Sequence, residues 1–236
     1  MNDKLWFVPL VLGLVALAVA HYGGLVMAPT EAMMGEVGRI MYAHVPTAWT
    51  GMLMGLVAFV FACGSLATSK DGWDIGTHAS VEVATLLCTL LCIQGALWAK
   101  PTWGVYWDWD PRLTSTAILV LSFAGVLILR ALVHDQGKRR IVTGVTTILA
   151  FVNVPITYYS VKWWNTLHQD MSSGSSIADE FKWSLYLGWL AMMLIAVGLV
   201  GLRSAGLMAR LRREHGETAL PKAKQKIELL AEKGGA

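Results

Sequence analysis

The sequence predicts an all-α fold, an integral membrane bundle of six transmembrane helices. Of its 236 residues, 55% are hydrophobic and only 15% are charged, whereas soluble proteins average roughly 25% charged residues. A helix that crosses a bilayer needs about 20 mostly apolar residues, and six segments of the chain reach or approach that length. They are 5–30, 40–69, 75–99, 113–129, 141–161 and 183–202.

Three of these segments need justification. The third carries one charge, Glu82, and the fourth is short unless it includes Pro111 and the stem of Arg130. The first could instead be a cleaved signal peptide, because Ala18-Val19-Ala20 resembles a cleavage site of small residues. Its apolar run, however, continues beyond the roughly 7–15 residues of a signal core. We therefore predict an uncleaved first span.

The basic residues predict the orientation of the bundle. Six spans place both termini on one side, and Lys and Arg accumulate in short cytoplasmic loops. If the termini are cytoplasmic, the inner segments hold most of the 19 basic residues, including the run at 138–140. Five lie outside: Arg39, Lys100, Arg112, Lys162 and Lys182. We predict cytoplasmic termini and functional loops on the outer face.

Two domains are predicted. Residues 1–203 form the six-span membrane domain, and 204–236 form a cytoplasmic charged tail, a solvated or lipid-surface helix for which docking to a cytosolic partner is the alternative. The chain contains no Walker A motif, so we do not expect it to hydrolyse ATP at a P-loop. Its cysteines, Cys63, Cys88 and Cys92, form no CxxC motif and are predicted to pack as small apolar residues.

The outer segment at about 100–112 contains an unusual cluster of aromatic and acidic residues. Residues 103–110 read WGVYWDWD. Asp110 followed by Pro111 predicts the start of the fourth helix, with Asp as N-cap and Pro at the first helical position. The aromatic cluster is therefore expected immediately before that helix, at the outer membrane boundary.

The tryptophans could simply anchor the chain at the interface, where Trp and Tyr are enriched. Anchoring does not require the alternation of Trp and Asp, however. In an extended loop Trp107 and Trp109 share one side, and in a helical loop Trp103, Trp107 and Asp110 align. Both geometries predict a flat apolar shelf with a polar edge.

Such a shelf suits a large planar ligand that is apolar on its faces and charged at its rim, as haem is. The iron of a haem takes axial nitrogen or sulfur donors. Of the six histidines, only His44 and His168 stand at the outer face in the predicted topology. We hypothesise that they ligate haem iron, the alternative being that they are interfacial or structural histidines.

Haem propionates require cations, and arginine can bind a carboxylate through two hydrogen bonds. Arg39 and Arg112 are the candidates because they flank the histidine segment and the aromatic loop. Arg112 could instead form an ion pair with Asp108 or Asp110. The sequence does not separate these two roles.

Two segments resemble a known family. Residues 103–115, WGVYWDWDPRLTS, are similar to the WWD signature of haem-handling membrane proteins, and residues 39–46, RIMYAHVP, are similar to a histidine segment of the cytochrome c maturation protein C (CcmC) family. The resemblance covers about residues 6–203. It implies that His44 and His168 are axial ligands of a non-covalent haem b, with Trp103, Trp107, Trp109 and Asp110 forming the platform.

The resemblance also implies a location and partners. The family holds haem at the outer face of the bacterial inner membrane and presents it for covalent attachment to the haem chaperone CcmE, in a complex with an ABC-type ATPase, a permease and a small membrane subunit. We expect a scaffold, with the bond-forming chemistry left to haem and chaperone. One alternative is a permease subunit of an ABC complex that transports haem or another substrate, suggested by Glu82, Gln94 and the 153–155 break. Another is a bis-His electron-transfer cytochrome, disfavoured because we expect both histidines in loops.

Overall fold

The computed structural model describes residues 3–31, 34–168 and 179–234, and beyond Glu214 only the course of the last helix is considered. The helices are α1 (Phe7–Tyr22), α2 (Met41–Thr68), α3 (Asp71–Trp103), α4 (Pro111–Leu132), α5 (Gln136–Phe151), α6 (Asn153–Trp163) and α7 (Asp179–Gly234). A π-helical turn, Gly23–Met27, extends α1, and a 3-10 turn, Glu36–Ile40, precedes α2. The described residues contain six helical segments long and apolar enough to cross a membrane, which confirms the predicted fold class.

The six membrane-spanning segments alternate in direction between two ends of the bundle, with α5 and α6 together forming one segment, Gln136–Trp163. Helices α1 and α7 are antiparallel, because Trp6 lies against Gly201 at one end and Trp183 lies against Gly23 at the other. Helix α2 begins where α1 finishes, since Arg39 donates a hydrogen bond to the Gly24 carbonyl at 3.3 Å. We call the end with Lys70, Lys138, Arg139 and Arg140 the basic end, and the end with Trp103, Trp107 and Trp109 the aromatic end.

The start of α2 is fixed against α1. Pro46 has no backbone N–H, so the Tyr42 carbonyl lacks its usual helical donor. The side chain of His21, on α1, hydrogen-bonds the Tyr42 backbone instead. The Tyr42 ring also lies so close to Gly24 that a Cβ there would stand 2.3 Å from it. These contacts hold the first turns of α2, which carry His44, in a defined position.

Glycines paired with aromatic rings allow α2 and α3 to approach closely. The Trp73 ring packs on Gly64, the Phe61 ring packs on Gly76, and the two ring centroids are 5.6 Å apart. In a bilayer, where lipid is as apolar as the side chains, helix association depends on such close packing. The buried core beside this contact is formed by Met54, Ala58, Val81, Ala84, Leu87, Leu119, Phe123 and Val126.

A pair of glycine substitutions tests this packing. In Gly64→Ala the new methyl would lie 2.3 Å from the Trp73 ring, so we expect a loss of about 1–3 kcal/mol through overpacking. Gly125, in α4, has no atom within 4 Å of an added Cβ, and Gly125→Ala should be neutral or stabilise by up to about 1 kcal/mol. Thermal unfolding midpoints in one detergent would check both. Equal midpoints for the two variants would contradict the proposed contact.

Charged side chains join the helices at and near the basic end. Arg130 of α4 binds Asp74 of α3 through two hydrogen bonds of 2.8 Å, and its Nη1 donates to the Thr143 hydroxyl of α5 at 3.0 Å. Glu82 of α3 accepts from Arg203 of α7 at 2.5 and 2.7 Å. The imidazole of His78 lies 3.2 Å from the same carboxylate. Glu82, a possible transport residue by sequence, therefore has a structural ion pair.

The structure differs from the predicted segments at several points. Helix α3 continues to Trp103 rather than ending near residue 99, and the fifth span is divided at Val152 into α5 and α6. Asn153, at the division, donates from its side chain to the Ser115 carbonyl at 2.8 Å and so ties α6 to α4. Helix α7 passes residue 203 without a break and runs to Gly234; the domain boundary at 203 stays a prediction.

Candidate functional site

The aromatic end contains an open cavity of about 120 Å³ between α2, α3, α4 and the segment after α6. His44 and His168 both line it, together with Trp103, Trp107 and Arg112. The structure thus brings five of the eight predicted site residues to one space. The remaining wall is formed by Met34, Ala48, Leu91, Cys92, Gly95, Ala96, Trp98, Ala99, Thr102, Leu113 and Thr116.

Helix α3 supplies one face of the cavity. Its lining residues recur three or four positions apart, from Cys92 through Gly95 and Ala99 to Trp103, which is the spacing of one helix face. Small residues leave room for the opposite wall: a Cβ added at Gly95 would lie 3.3 Å from Cε1 of His44. The sequence-based prediction did not include this face, because a loop was expected from Lys100 onward.

His44 lies in the first turns of α2, the helix spanning Met41–Thr68. The expectation that both histidines sit in loops was therefore wrong for this one. Its ring meets Trp98 edge-on, with centroids 5.4 Å apart. Within the described residues, both His44 Nδ1 and Trp98 Nε1 are buried and have no hydrogen-bond partner. Buried polar atoms are nearly always satisfied, so two orphaned ring nitrogens at one cavity indicate a place for a ligand.

Arg112 lines the cavity from the first turn of α4. Its Nη1 donates to the backbone carbonyls of Thr157 and Tyr158, the latter at 3.1 Å. Over the described ranges, no carboxylate oxygen lies within 4 Å of its guanidinium. An ion pair with Asp108 or Asp110, the alternative left open by the sequence, is not formed there. Because the hydrogen bonds of this half-buried guanidinium go to neutral carbonyls, it is available to bind an anionic group.

Arg39 is placed differently. Its Nε lies 2.5 Å from a carboxylate oxygen of Glu36, and its Nη1 reaches the Gly24 carbonyl. It is not among the residues that line the cavity. The two arginines that the sequence treated as equivalent therefore differ, since only Arg112 faces the space beside the histidines.

The tryptophan loop begins where α3 ends. Gly104 adopts a positive φ of 81° and stops the helix, a conformation that glycine adopts at little cost. Lys100 Nζ donates to the Gly104 carbonyl at 2.8 Å and lies 5.4 Å from the Tyr106 ring. The loop is therefore ordered by contacts with the last turn of α3.

The three signature tryptophans do not share one plane. Trp103 and Trp107 line the cavity, whereas Trp109 is 79% exposed. The rings of Trp107 and Trp109 meet edge-on at 5.9 Å and 86°. The flat shelf expected from the sequence is thus a wall of two indoles with a third ring standing outside.

Asp110 caps α4 as predicted. Its Oδ1 accepts from the backbone N–H groups of Arg112 at 2.8 Å and Leu113 at 3.4 Å. Its Oδ2 accepts from the backbone N–H of Leu167 at 2.7 Å. Burial alone would raise the pKa of this carboxyl, but the hydrogen bonds from Thr166 and the three backbone N–H groups outweigh it and lower the pKa. Asp110 is therefore an ionised link between the tryptophan loop and the segment that carries His168.

Comparison with known proteins assigns the chain to a family. The family model described as Heme exporter protein C matches residues 1–219. Proteins named Heme exporter protein C are similar to the chain: that of Bradyrhizobium diazoefficiens is 33% identical over 204 residues, covering 84% of this chain and 77% of the relative. That of Escherichia coli K12 is 30% identical over 216 residues, covering 88% and 87%, and that of Haemophilus influenzae is 34% identical over 187 residues, covering 79% and 74%. The chain belongs to the Heme exporter protein C (CcmC) family.

Proposed function

We propose that this protein binds haem b non-covalently in the cavity at its aromatic end and presents it for covalent attachment to the haem chaperone CcmE during maturation of c-type cytochromes. The observation that carries the proposal is the meeting of His44 and His168 in one aromatic cavity beside Arg112. Relatives named Heme exporter protein C and a mitochondrial relative named as a putative cytochrome c biosynthesis protein support the same process.

The donor set fits haem better than a bare metal ion. Across residues 3–31, 34–168 and 179–234, no group of three or more His, Cys, Asp or Glu side chains could hold an ion. Two imidazoles are enough to complete the coordination of a metal only when other ligands already occupy its remaining positions, as the porphyrin nitrogens do for haem iron. Bound haem would supply the iron and a ring edge for the bond to the chaperone.

The residues of the cavity have distinct tasks in this proposal. His44 and His168 would ligate the iron and so orient the ring, while Trp103 and Trp107 would pack against the bound haem and exclude water. Arg112 has guanidinium N–H groups that its carbonyl contacts do not use, and it is better placed than Arg39 to bind a propionate. Trp109 and Asp110 do not line the cavity. Trp109 would meet only the exposed edge of a ligand.

The ring edge must remain accessible if haem is to be transferred. The cavity is open on one side, so part of a bound macrocycle would remain within reach of a partner protein. The residues of the cavity would then hold the iron while the partner reaches the ring, which assigns orientation rather than bond formation to this chain.

The charges of the two ends support an orientation in the membrane. The basic end collects Lys70, Lys138, Arg139 and Arg140, and such clusters favour the cytoplasm. The cavity then faces the outer side of the bacterial inner membrane, where we place the contact with CcmE. The ABC-type ATPase, permease and small membrane subunit would assemble with the membrane part and with the tail at 204–236.

Reconstitution tests the proposal. The purified chain, loaded with haem in detergent, should show the absorbance of a six-coordinate haem. When CcmE is added, haem should become covalently attached to the chaperone, detected as a mass increase that survives denaturation. A chain that takes up no haem would contradict the binding site. A chain that binds haem but yields no adduct, even with the other subunits present, would contradict the role in presentation.

A further inference from the structure

The carboxylate of Asp110 joins two segments that are far apart in sequence. It lies at the end of the tryptophan loop and is only 6% exposed. One oxygen accepts hydrogen bonds from the first turn of α4, from the N–H groups of Arg112 and Leu113. The other oxygen accepts a hydrogen bond from the backbone N–H of Leu167 at 2.7 Å. The helix cap alone would require only the first oxygen.

The second contact lies next to His168. Thr166 donates its hydroxyl hydrogen bond to Asp110, and the backbone N–H of His168 in turn bonds the Thr166 hydroxyl oxygen at 3.1 Å. Residues 166–168 therefore form a turn that is hydrogen-bonded to the Asp110 carboxylate at two points. This turn follows the end of α6 and brings His168 to the cavity.

We propose that Asp110 is a positioning residue for His168: its carboxylate fixes the turn at 166–168 by which the imidazole reaches the cavity, and it does not itself contact the ligand. The inference rests on the proposed function for the role of His168. The proposal gives the aspartate of the WWD signature a structural role, because both of its oxygens accept hydrogen bonds from the protein and it does not line the cavity.

The difference between the two histidines explains why such a link is needed. His44 is held by a helix whose start is packed against α1. His168 lies in a non-helical segment beyond α6, where helical backbone hydrogen bonds do not fix the chain. A charge-assisted hydrogen bond to a buried, ionised acceptor is stronger than a neutral one and is suited to hold a loop in one conformation.

Asp110→Ser separates the two tasks of the carboxylate. Serine still caps a helix well, but it has no second oxygen for Leu167. Asp108→Ser makes the same chemical change two residues away at an exposed side chain and is the matched control. Thr166→Val is a second variant that weakens the same turn without touching the cap, in case Asp110→Ser does not fold.

The first measurement uses haem-free protein in detergent. Hydrogen exchange of the Leu167 amide should be roughly 10–100-fold faster in Asp110→Ser than in wild type, as expected for a lost hydrogen bond to a charged group. Thr166→Val should change exchange in the same direction, and Asp108→Ser should match wild type. Unchanged exchange at Leu167 in both Asp110→Ser and Thr166→Val would overturn the proposal, whether or not the protein binds haem.

The second measurement uses haem-loaded protein. Asp110→Ser should show a five-coordinate spectrum like that of His168→Ala, and added imidazole should restore six-coordination in both. A wild-type spectrum in Asp110→Ser, despite faster exchange at Leu167, would overturn the proposal, because His168 would then be placed without the link. If wild type itself binds no haem, the proposed function fails, while the exchange measurement still decides whether Asp110 holds the turn.

Discussion

Replacing His44 or His168 with alanine is expected to convert a six-coordinate haem into a five-coordinate one and to weaken haem retention by at least about tenfold. Removing only an outer-shell partner of a metal ligand typically costs 10–100-fold in affinity, so losing a ligand should cost no less. The double variant should lose nearly all haem, because aromatic packing and Arg112 alone would remain. Absorbance and magnetic resonance spectra of the purified variants check the coordination.

The control for this prediction is His134→Ala. His134 lies between α4 and α5 at the opposite end of the bundle from the cavity, and its variant should retain the wild-type spectrum and haem content. Added imidazole should restore six-coordination to either single variant by entering the space of the missing ring. An unchanged spectrum in both His44→Ala and His168→Ala would refute the assignment of the axial ligands.

The parts of the fold that were predicted from sequence depend on local signals. Six apolar runs defined the spans, and the Asp110-Pro111 pair defined the first turn of α4, because capping and proline act over a few residues. The extent of α3 was not predicted. The outer segment was expected to begin at Lys100, yet the helix continues to Trp103. It ends at Gly104, which adopts a left-handed conformation and whose carbonyl accepts a hydrogen bond from the Lys100 side chain.

The sequence predicted a set of candidate site residues but not their arrangement. The predicted topology placed His44 and His168 on one face of the membrane. Their shared cavity, however, depends on small residues of α3 such as Gly95, whose role appears only when α2 packs on them. Likewise, the bond from Leu167 to Asp110 joins segments that no local pattern connects. The different positions of Arg39 and Arg112 also depend on their contacts in the folded protein. Arg39 pairs with Glu36, whereas Arg112 binds backbone carbonyls.

The ion pair near the basic end predicts the largest effect on stability. Arg130 and Asp74 are 8% and 7% exposed, and Arg130→Ala would leave the Asp74 carboxylate buried without its partner. Breaking a buried pair in this way typically costs 3–5 kcal/mol. For a protein of this size, each kcal/mol lowers the unfolding midpoint by roughly 2–4 °C. We therefore expect a midpoint roughly 6–20 °C below that of wild type in the same detergent.

Two further variants separate the pair from charge in general. Arg210→Ala removes an arginine from an exposed pair with Glu214 and should change stability by less than about 1 kcal/mol. The double variant Asp74→Leu with Arg130→Met should recover much of the loss, because apolar replacement of both partners leaves no charge buried alone. If Arg130→Ala were no less stable than Arg210→Ala, the link among α3, α4 and α5 would not support the fold.

The link lies at the opposite end of the bundle from the cavity. The Arg130→Ala protein that remains folded should therefore bind haem with the six-coordinate spectrum of wild type. This result would distinguish a loss of stability from a loss of site geometry.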